Sequence, residues 1–230
     1  MNPPQAPYNV GTRPAPELAS SLLAHSFGWM FAGLLLTSGI AVVVATNQKV
    51  INSVADFWYL IFIGQLGLAI GIQGLIGRIS ASTALALFFV FAATMGFTVG
   101  VIVSLYEVPS VISSFFSAAA MFGAAALYGA TTRRSLAGLG GYLFMGMIGL
   151  FVALLVNLFL DNGVAGFIIA AIGVVIFVVY TAYDVQRISY GDYVTSTGSI
   201  EKASVLGAVH LYINFVNIFL FLLRLMGSRN

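Results

Sequence analysis

Residues 203–223 read ASVLGAVHLYINFVNIFLFLL, an uncharged and mostly apolar run that carries three strongly polar side chains, His210, Asn214 and Asn217. Their spacing of i, i+4 and i+7 places them on one face of a helix. Amides turned toward lipid would lack hydrogen-bond partners, so the other helices should surround this one. The stripe either only holds the helices together or forms a functional polar surface. In both cases the run predicts a central membrane helix.

The composition of the whole chain agrees with a membrane protein. Of its 230 residues, 60% are hydrophobic and only 7% are charged, whereas a soluble domain has about 25% charged residues. The mean hydropathy of +1.02 leaves no way to bury the apolar surplus inside a soluble globule. A soluble enzyme is therefore excluded, and the lipid bilayer is the first expected partner. A net charge of +2 is too small for a nucleic-acid surface.

The gaps between charged residues outline the spans, because a charge at mid-bilayer is costly. We predict an all-α integral membrane protein with seven transmembrane helices in a single domain, residues 21–230, after a flexible Pro-rich tail, residues 1–20. The predicted helices cover residues 26–46, 57–77, 82–106, 110–131, 136–160, 164–187 and 203–224.

Basic residues recur in alternate connections and predict a cytoplasmic N-terminus by the positive-inside rule. Arg78, Arg133 and Arg187 each follow an even-numbered helix, with a serine one or two residues after each basic segment. This recurrence reflects either the topogenic Arg of every inner connection or three helix hairpins around a lone seventh helix. We favour a full crossing of the last helix, with a re-entrant segment as the alternative. The basic residues on the predicted inner side are Arg13, Arg78, Arg133, Arg134, Arg187 and Lys202.

Motifs for catalysis are missing from the sequence. The chain has no cysteine, and its two histidines, His25 and His210, lie far apart without metal-ligand spacing. We therefore expect neither an enzyme nor a bound cofactor. Glycines of the second predicted helix share one face and predict close packing against another helix. They are Gly64, Gly67, Gly71, Gly74 and Gly77.

Asp184 is the one carboxylate predicted to lie within a span, near the end of the sixth helix. An acid at a helix C-terminus opposes the helix dipole and needs a specific reason to be there. Neutralisation by Arg187 at i+3 is the structural alternative to a functional role. Three other acids, Asp56, Glu107 and Asp161, fall in outer connections. They either concentrate cations at an entrance or are ordinary solvated charges.

Two segments closely resemble signature segments of the Bax inhibitor motif family, in its bacterial type. They are YTAYDVQR at Tyr180–Arg187 and LYINFVNIFLFLLR at Leu211–Arg224. Further similarities bring the match to residues 22–227; they lie at Phe122–Gly129, Thr131–Arg133, Leu136, Gly138 and Gly77–Ser80. The resemblance implies a pH-sensitive calcium leak channel with three helix hairpins around a central seventh helix.

The resemblance also implies roles for individual residues. Asp184 matches one of two family aspartates that share a proton, and Arg78 matches an arginine that latches onto it. Asn214 stands where the family commonly has the second aspartate, so the resemblance to a pH sensor is weakened at this position. Because Asn214 cannot ionise, we expect a leak that varies little between about pH 6 and 8.

The leading hypothesis is a pH-influenced passive leak of Ca²⁺, gated around Asp184, Arg78, Arg187 and the stripe of the seventh helix. Asp184 would contact the ion transiently, with amide and hydroxyl oxygens nearby. The main alternative is a non-conducting regulator that binds a membrane quality-control protease or a cell-death-type protein. A cation/proton exchanger is the third hypothesis. The expected location is a bacterial inner membrane.

Overall fold

The computed structural model describes residues 16–229, and every regular element among them is a helix. Seven of these helices are long and apolar enough to cross a membrane, which confirms the predicted fold class. A short 3₁₀ turn, Ala137–Leu139, precedes α6. The helices are α1 Pro16–Ala45, α2 Gln48–Asp56, α3 Trp58–Leu75, α4 Ala81–Val103, α5 Val108–Thr131, α6 Gly140–Leu160, α7 Gly163–Ser189, α8 Asp192–Thr197 and α9 Ile200–Met226.

The beginning of the chain differs from the prediction. α1 begins at Pro16 rather than at residue 26, so residues 16–20 of the predicted tail are helical. Proline suits a first helical position because its missing N–H would have no partner there. Glu17 adds a negative charge in the first turn, where the helix dipole favours it. Residues 1–15 of the predicted tail lie outside the described residues.

Two short helices were not predicted. The Asn47 side chain caps α2 by accepting from the backbone N–H of Lys49 and Val50. α2 has only 9 residues, whereas a transmembrane helix needs about 20, so it is too short to be a span. α8 lies between Gly191 and Gly198, whose positive φ angles of 72° and 68° turn the chain at both of its ends. These turns bring α8 back against α9.

α9 is the centre of the bundle. In an apolar 18-residue stretch of its span 78% of the residues are buried, against 11% to 33% in the corresponding stretches of the other six spans. It packs against α7, α1 and α5 most extensively. The fully buried Tyr212 hydroxyl contacts Thr37 Oγ1 of α1 at 2.6 Å, and Thr37 in turn donates to the Ala92 carbonyl of α4 at 2.8 Å. The predicted central seventh helix is confirmed.

α9 also crosses the whole bundle. Its C-terminal extension reaches the α4–α5 connection, where the Glu107 N–H donates to the Ser228 carbonyl at 3.0 Å. This contact contradicts a re-entrant last segment. We call this end of the bundle the Glu107 end, and the opposite end, where α7 finishes, the Asp184 end.

The most extensive packing among the outer helices is between helices that the three predicted hairpins do not pair with each other. α1 packs on α4 and α5 packs on α7, so the first two hairpins splay open and only α6 and α7 remain a packed hairpin. Small residues explain the choice of partner. A Cβ at Gly96 would lie 3.0 Å from the Thr37 carbonyl, and one at Gly100 would lie 2.9 Å from the Ala41 carbonyl, so only glycine allows α4 this close to α1.

The prediction of close packing along the second helix is wrong. A Cβ added at any of the five glycines of that segment would meet nothing within 4 Å, and only 11% of the α3 span is buried. Close backbone approach occurs instead at Gly129 of α5, where a Cβ would collide with the Ala182 carbonyl of α7. Periodicity identified the glycine face of α3, but another helix does not cover it.

This contrast gives a paired test of helix packing. Gly129→Ala should lower the free energy of unfolding by about 1 to 3 kcal/mol, because α5 and α7 must separate to admit the methyl group. Gly67→Ala should be neutral or stabilising by up to about 1 kcal/mol, since alanine favours the helix and meets no neighbour. Thermal unfolding of both variants in detergent measures the difference. Equal shifts would contradict the packing described for α5 and α7.

Candidate functional site

Asp184 is the centre of the candidate site. It lies near the end of α7, and it is only 1% exposed. It is buried because α7 turns the face that carries Thr181, Asp184, Val185 and Ile188 into the bundle, where α9 covers it. A carboxylate removed from water needs hydrogen-bond donors or a positive charge. The donors come from α8 and α9.

Both carboxylate oxygens of Asp184 are engaged. The Asn214 Nδ2 donates to Oδ2 at 2.8 Å, and the Tyr193 hydroxyl donates to Oδ1 at 3.0 Å. The His210 Nδ1 lies 3.4 Å from Oδ1 and 3.2 Å from the Tyr193 hydroxyl. We call Asp184, Tyr193, His210 and Asn214 the carboxylate cluster. It joins α7, α8 and α9 at one point.

Tyr193 is a stable donor in this cluster. Burial, followed by the negative charge of Asp184, raises the pKa of Tyr193 well above its ordinary value. The hydroxyl therefore keeps its proton throughout the physiological range. In the unfolded chain a tyrosine titrates near pH 10. The stability that Tyr193 contributes is fully present below that pH and is lost as the pH rises through the higher folded pKa.

Arg187 lies beside the carboxylate cluster but does not form an ion pair with Asp184. Its guanidinium carbon lies 4.6 Å from the centre of the Tyr193 ring and 5.5 Å from that of Tyr183. Its Nε forms an ion pair with the Asp192 carboxylate at 3.5 Å. Within residues 16–229, Asp184 has its one ion-pair contact with His210. The Arg187–Asp184 pair offered as the structural alternative is therefore not formed.

The latch implied for Arg78 is not formed either. Arg78 is exposed in the α3–α4 connection, and the ion pairs of the described region do not include it. α3 packs mainly on α4 and touches α9 only slightly, so it does not carry Arg78 to α7. The connection contacts α9 elsewhere, where Lys202 Nζ donates to the Gly77 carbonyl at 3.4 Å.

The polar stripe of α9 divides into two parts. His210 and Asn214 join the carboxylate cluster, as the shared helical face predicted. Asn217 does not, because its Nδ2 donates to the Ile213 carbonyl of its own helix at 2.8 Å. Asn217 is half-buried, and its amide N–H has a partner within α9. It therefore belongs to the helix rather than to the site.

The three predicted outer acids lie at the opposite end of the bundle. Asp56 is the last residue of α2, Glu107 is the N-cap residue of α5, and Asp161 is the C-cap residue of α6 with a φ of 43°. All three are exposed and occupy separate connections. The carboxylate cluster and these acids are thus at the two ends of the bundle.

A cavity of about 290 Å³ adjoins the carboxylate cluster. α3, α6, α7 and α9 enclose it, with polar side chains mostly from α7 and α9 and apolar side chains mostly from α6. Its lining includes Gln73, Gly140, Phe144, Met147, Phe177, Tyr180, Tyr183, Asp184, Arg187, His210, Ile213 and Asn214. No group of three or more His, Asp or Glu side chains that could hold a metal occurs in the described part of the chain. The cavity has room for a small species beside Asp184.

Two structural residues were missed by sequence reasoning. Tyr193 lies in a connection, and its only local signal was the pair of glycines around α8. Gln186 is buried and fastens the α5–α6 connection, because its Oε1 accepts from the Leu136 N–H at 2.7 Å and its Nε2 donates to the Arg134 carbonyl at 2.9 Å. A second polar residue inside the sixth predicted span was the available signal for Gln186.

The contribution of the Tyr193 hydroxyl to stability can be tested by removing that single oxygen atom. Tyr193→Phe should lower the free energy of unfolding by about 1.5 to 3 kcal/mol, because it removes a donor from a buried carboxylate. Tyr142→Phe is the matched control, since Tyr142 is 78% exposed. The measurement is thermal or denaturant unfolding in detergent at neutral pH. Two equally stable variants would show that the Tyr193 hydroxyl does not support Asp184.

Comparison with known proteins gives one consistent result. The family model described as "Inhibitor of apoptosis-promoting Bax1" matches residues 19–230. The inner membrane protein YbhL of Escherichia coli is 39% identical over 213 residues, covering 90% of this chain and 91% of the relative. An uncharacterized protein of Borreliella burgdorferi is 37% identical over 218 residues, covering 92% and 94% of the two chains. An uncharacterized protein of Deinococcus radiodurans is 36% identical over 211 residues, covering 91% of each. The chain is an integral multi-pass membrane protein that belongs to the Bax inhibitor family.

Proposed function

We propose that the protein is a passive cation leak path, with Ca²⁺ as the transported ion and Asp184 as its gate. The observation that carries the proposal is a buried carboxylate at the wall of a cavity, held by donors from two other helices. An ionisable side chain inside a membrane domain is costly and is retained for function more often than for stability. A bound cation could replace the hydrogen-bond donors of Asp184, because either one compensates the buried negative charge.

The arrangement corresponds to a closed gate. With both oxygens of Asp184 engaged and only 1% of the residue exposed, a cation cannot bind the carboxylate until Asn214 or Tyr193 moves away. Ca²⁺ prefers oxygen ligands. The carboxylate, the side-chain oxygen of Asn214 and the hydroxyls of Tyr180 and Tyr183 are oxygen donors at this cavity.

We further propose that the Asp184 end faces the cytoplasm of a bacterium. This proposal rests on the basic residues of the α3–α4 and α5–α6 connections, Arg78, Arg133 and Arg134, which favour the inner side. The outer acids Asp56 and Glu107 then face the external solution, where Ca²⁺ is delivered. The Escherichia coli relative is an inner membrane protein, which supports the same membrane for this chain.

The leak is tested with purified protein in liposomes that contain a calcium dye. Asp184→Asn should raise the rate of calcium entry at least several-fold, because a neutral amide holds Asn214 and Tyr193 by weaker hydrogen bonds than a carboxylate does. Asp192→Asn is the matched control, since that carboxylate is 44% exposed at the same end of the bundle. Its rate should remain that of the unmodified protein.

The same assay separates the competing functions. Calcium entry without a counter-gradient supports a channel, and entry that requires a proton gradient supports an exchanger. Silence of both the unmodified protein and Asp184→Asn would support a non-conducting regulator, for which a membrane protease or another membrane protein is the expected partner. An Asp184→Asn rate equal to that of the unmodified protein would remove Asp184 from the gate.

The contact of His210 with Asp184 revises the expected dependence on pH. An imidazole is a side chain that gains its charge between pH 5 and 8. Protonated His210 would hold Asp184 by charge and favour the closed cluster, while Arg187 stays charged and Tyr193 stays neutral over that range. We therefore expect calcium entry to rise from pH 6 to pH 8, rather than to stay nearly constant.

Histidine variants test this dependence directly. His210→Gln should flatten the pH profile of calcium entry between pH 6 and 8. The matched control is His25→Gln, because exposed His25 lies far from Asp184 in the sequence and hydrogen-bonds with Ser21 of its own helix. Asn214→Asp should steepen the profile, because two adjacent carboxylates share a proton. A His210→Gln profile as steep as that of His25→Gln would exclude His210 as the sensor.

A further inference from the structure

A second, larger cavity lies at the other end of the bundle. It has a volume of about 550 Å³ and is a crevice between α1 and α4 on one side and α5 on the other, with α9 as its floor. It forms because α1 and α4 pack on each other while α5 packs on α7 and α9. We call it the lateral crevice. Its size is within the range that proteins use for small ligands.

The lateral crevice is apolar and faces the bilayer. Phe115, Phe215 and Phe219 form much of its inner wall. At its rim, Val42 is 64% exposed and Phe116 is 68% exposed on the surface that the lipid surrounds. An apolar space of this kind does not hold ordered water well, because water there lacks polar partners. A hydrocarbon chain is the matching occupant.

The crevice and the carboxylate cluster lie on opposite faces of α9. His210 and Asn214 line the cavity beside Asp184, whereas Phe215 and Phe219 line the lateral crevice. The lateral crevice is therefore a separate site, and a ligand in it would contact the back of the central helix.

The outer end of the crevice carries a positive charge. Tyr106 lines this end, and the guanidinium carbon of Arg229 lies 5.6 Å from the centre of its ring. Lys49 is exposed three residues after Thr46, which also lines the crevice. Glu107 provides an opposing negative charge next to Tyr106. Two cations and one anion at the level where tyrosines meet lipid headgroups favour an anionic headgroup.

We propose that the lateral crevice binds one phospholipid with an anionic headgroup. One acyl chain lies against Phe215 and Phe219, and the phosphate contacts Arg229. The acyl chain packs closely against the phenylalanine side chains, more closely than it would against other lipid chains in the bilayer. The positive charge of Arg229 selects an anionic headgroup. This proposal does not rest on the calcium leak, because it uses neither Asp184 nor its cavity.

The headgroup contact is tested by native mass spectrometry of the full chain in detergent. The protein is titrated with phosphatidylglycerol and with phosphatidylcholine of the same acyl chains. The unmodified protein should bind one phosphatidylglycerol about five-fold more tightly than phosphatidylcholine, the factor for one basic side chain near a lipid headgroup. Arg229→Gln should abolish this preference. Arg224→Gln is the matched control and should keep it, because Arg224 lies against Gly166 of α7 instead.

Two adjacent valines of α1 allow a controlled test of the acyl-chain contact. Val42 and Val43 are adjacent and both 64% exposed, but only Val42 lines the lateral crevice. Val42→Trp should weaken the binding of both lipids about five-fold or more by filling the space, and Ser38→Trp, one turn away in the crevice, should do the same. Val43→Trp should leave binding unchanged.

Three results would overturn the proposal. The first is equal affinity for the two lipids in the unmodified protein, with no effect of Arg229→Gln. The second is equal lipid binding by Val42→Trp, Ser38→Trp and Val43→Trp. The third is a dimer that Val42→Trp and Ser38→Trp disrupt, which would assign the lateral crevice to a second copy of the chain.

Discussion

The site depends on one constraint, the burial of the Asp184 carboxylate in a bundle that excludes water. A charge in this position is stable only if donors reach it from other parts of the chain. Asn214 meets the need from α9 and Tyr193 meets it from α8. The turns at Gly191 and Gly198 follow from the same need, because without them the hydroxyl of Tyr193 would not return to α7. The end of α7 is thus fastened to the middle of α9 by the Asp184 carboxylate.

Enclosure of α9 is the second condition for the site. A helix that carries amides, a histidine and the Tyr212 hydroxyl needs neighbours on every side, and the 78% burial of an 18-residue stretch of its span satisfies this need. Close packing of α1 on α4 at Gly96 and Gly100, and of α5 on α7 at Gly129, supplies these neighbours as two pairs. Pairing of this kind leaves a gap between α4 and α5. The lateral crevice is the consequence of packing the bundle as two pairs around one helix.

Sequence reasoning succeeded where one residue type has one physical meaning. Charges are excluded from the bilayer centre, so their gaps predicted the seven spans. The spacing of His210 and Asn214 predicted their common face, and the amide chemistry predicted burial. Sequence reasoning failed where the prediction depended on which other residue a side chain contacts. The α3 glycines share a face that no helix covers, and Arg187 lies in range of Asp184 in sequence but turns to Tyr193 and Asp192. Helical periodicity gives the direction of a side chain, and only the tertiary fold determines what it meets.

Asn214 changes the character of the cluster compared with a pair of carboxylates. An amide donates its N–H at every pH, so the bond to Oδ2 of Asp184 is permanent until the helices move. The other oxygen, Oδ1, is shared by Tyr193 and His210. The raised pKa of Tyr193 keeps its hydroxyl protonated, so Tyr193 stays a donor to Oδ1 as Asn214 does to Oδ2. With an amide in place of a second carboxylate, Asp184 therefore has a lasting donor at each oxygen, and the fold of α7, α8 and α9 around it does not depend on a shared proton.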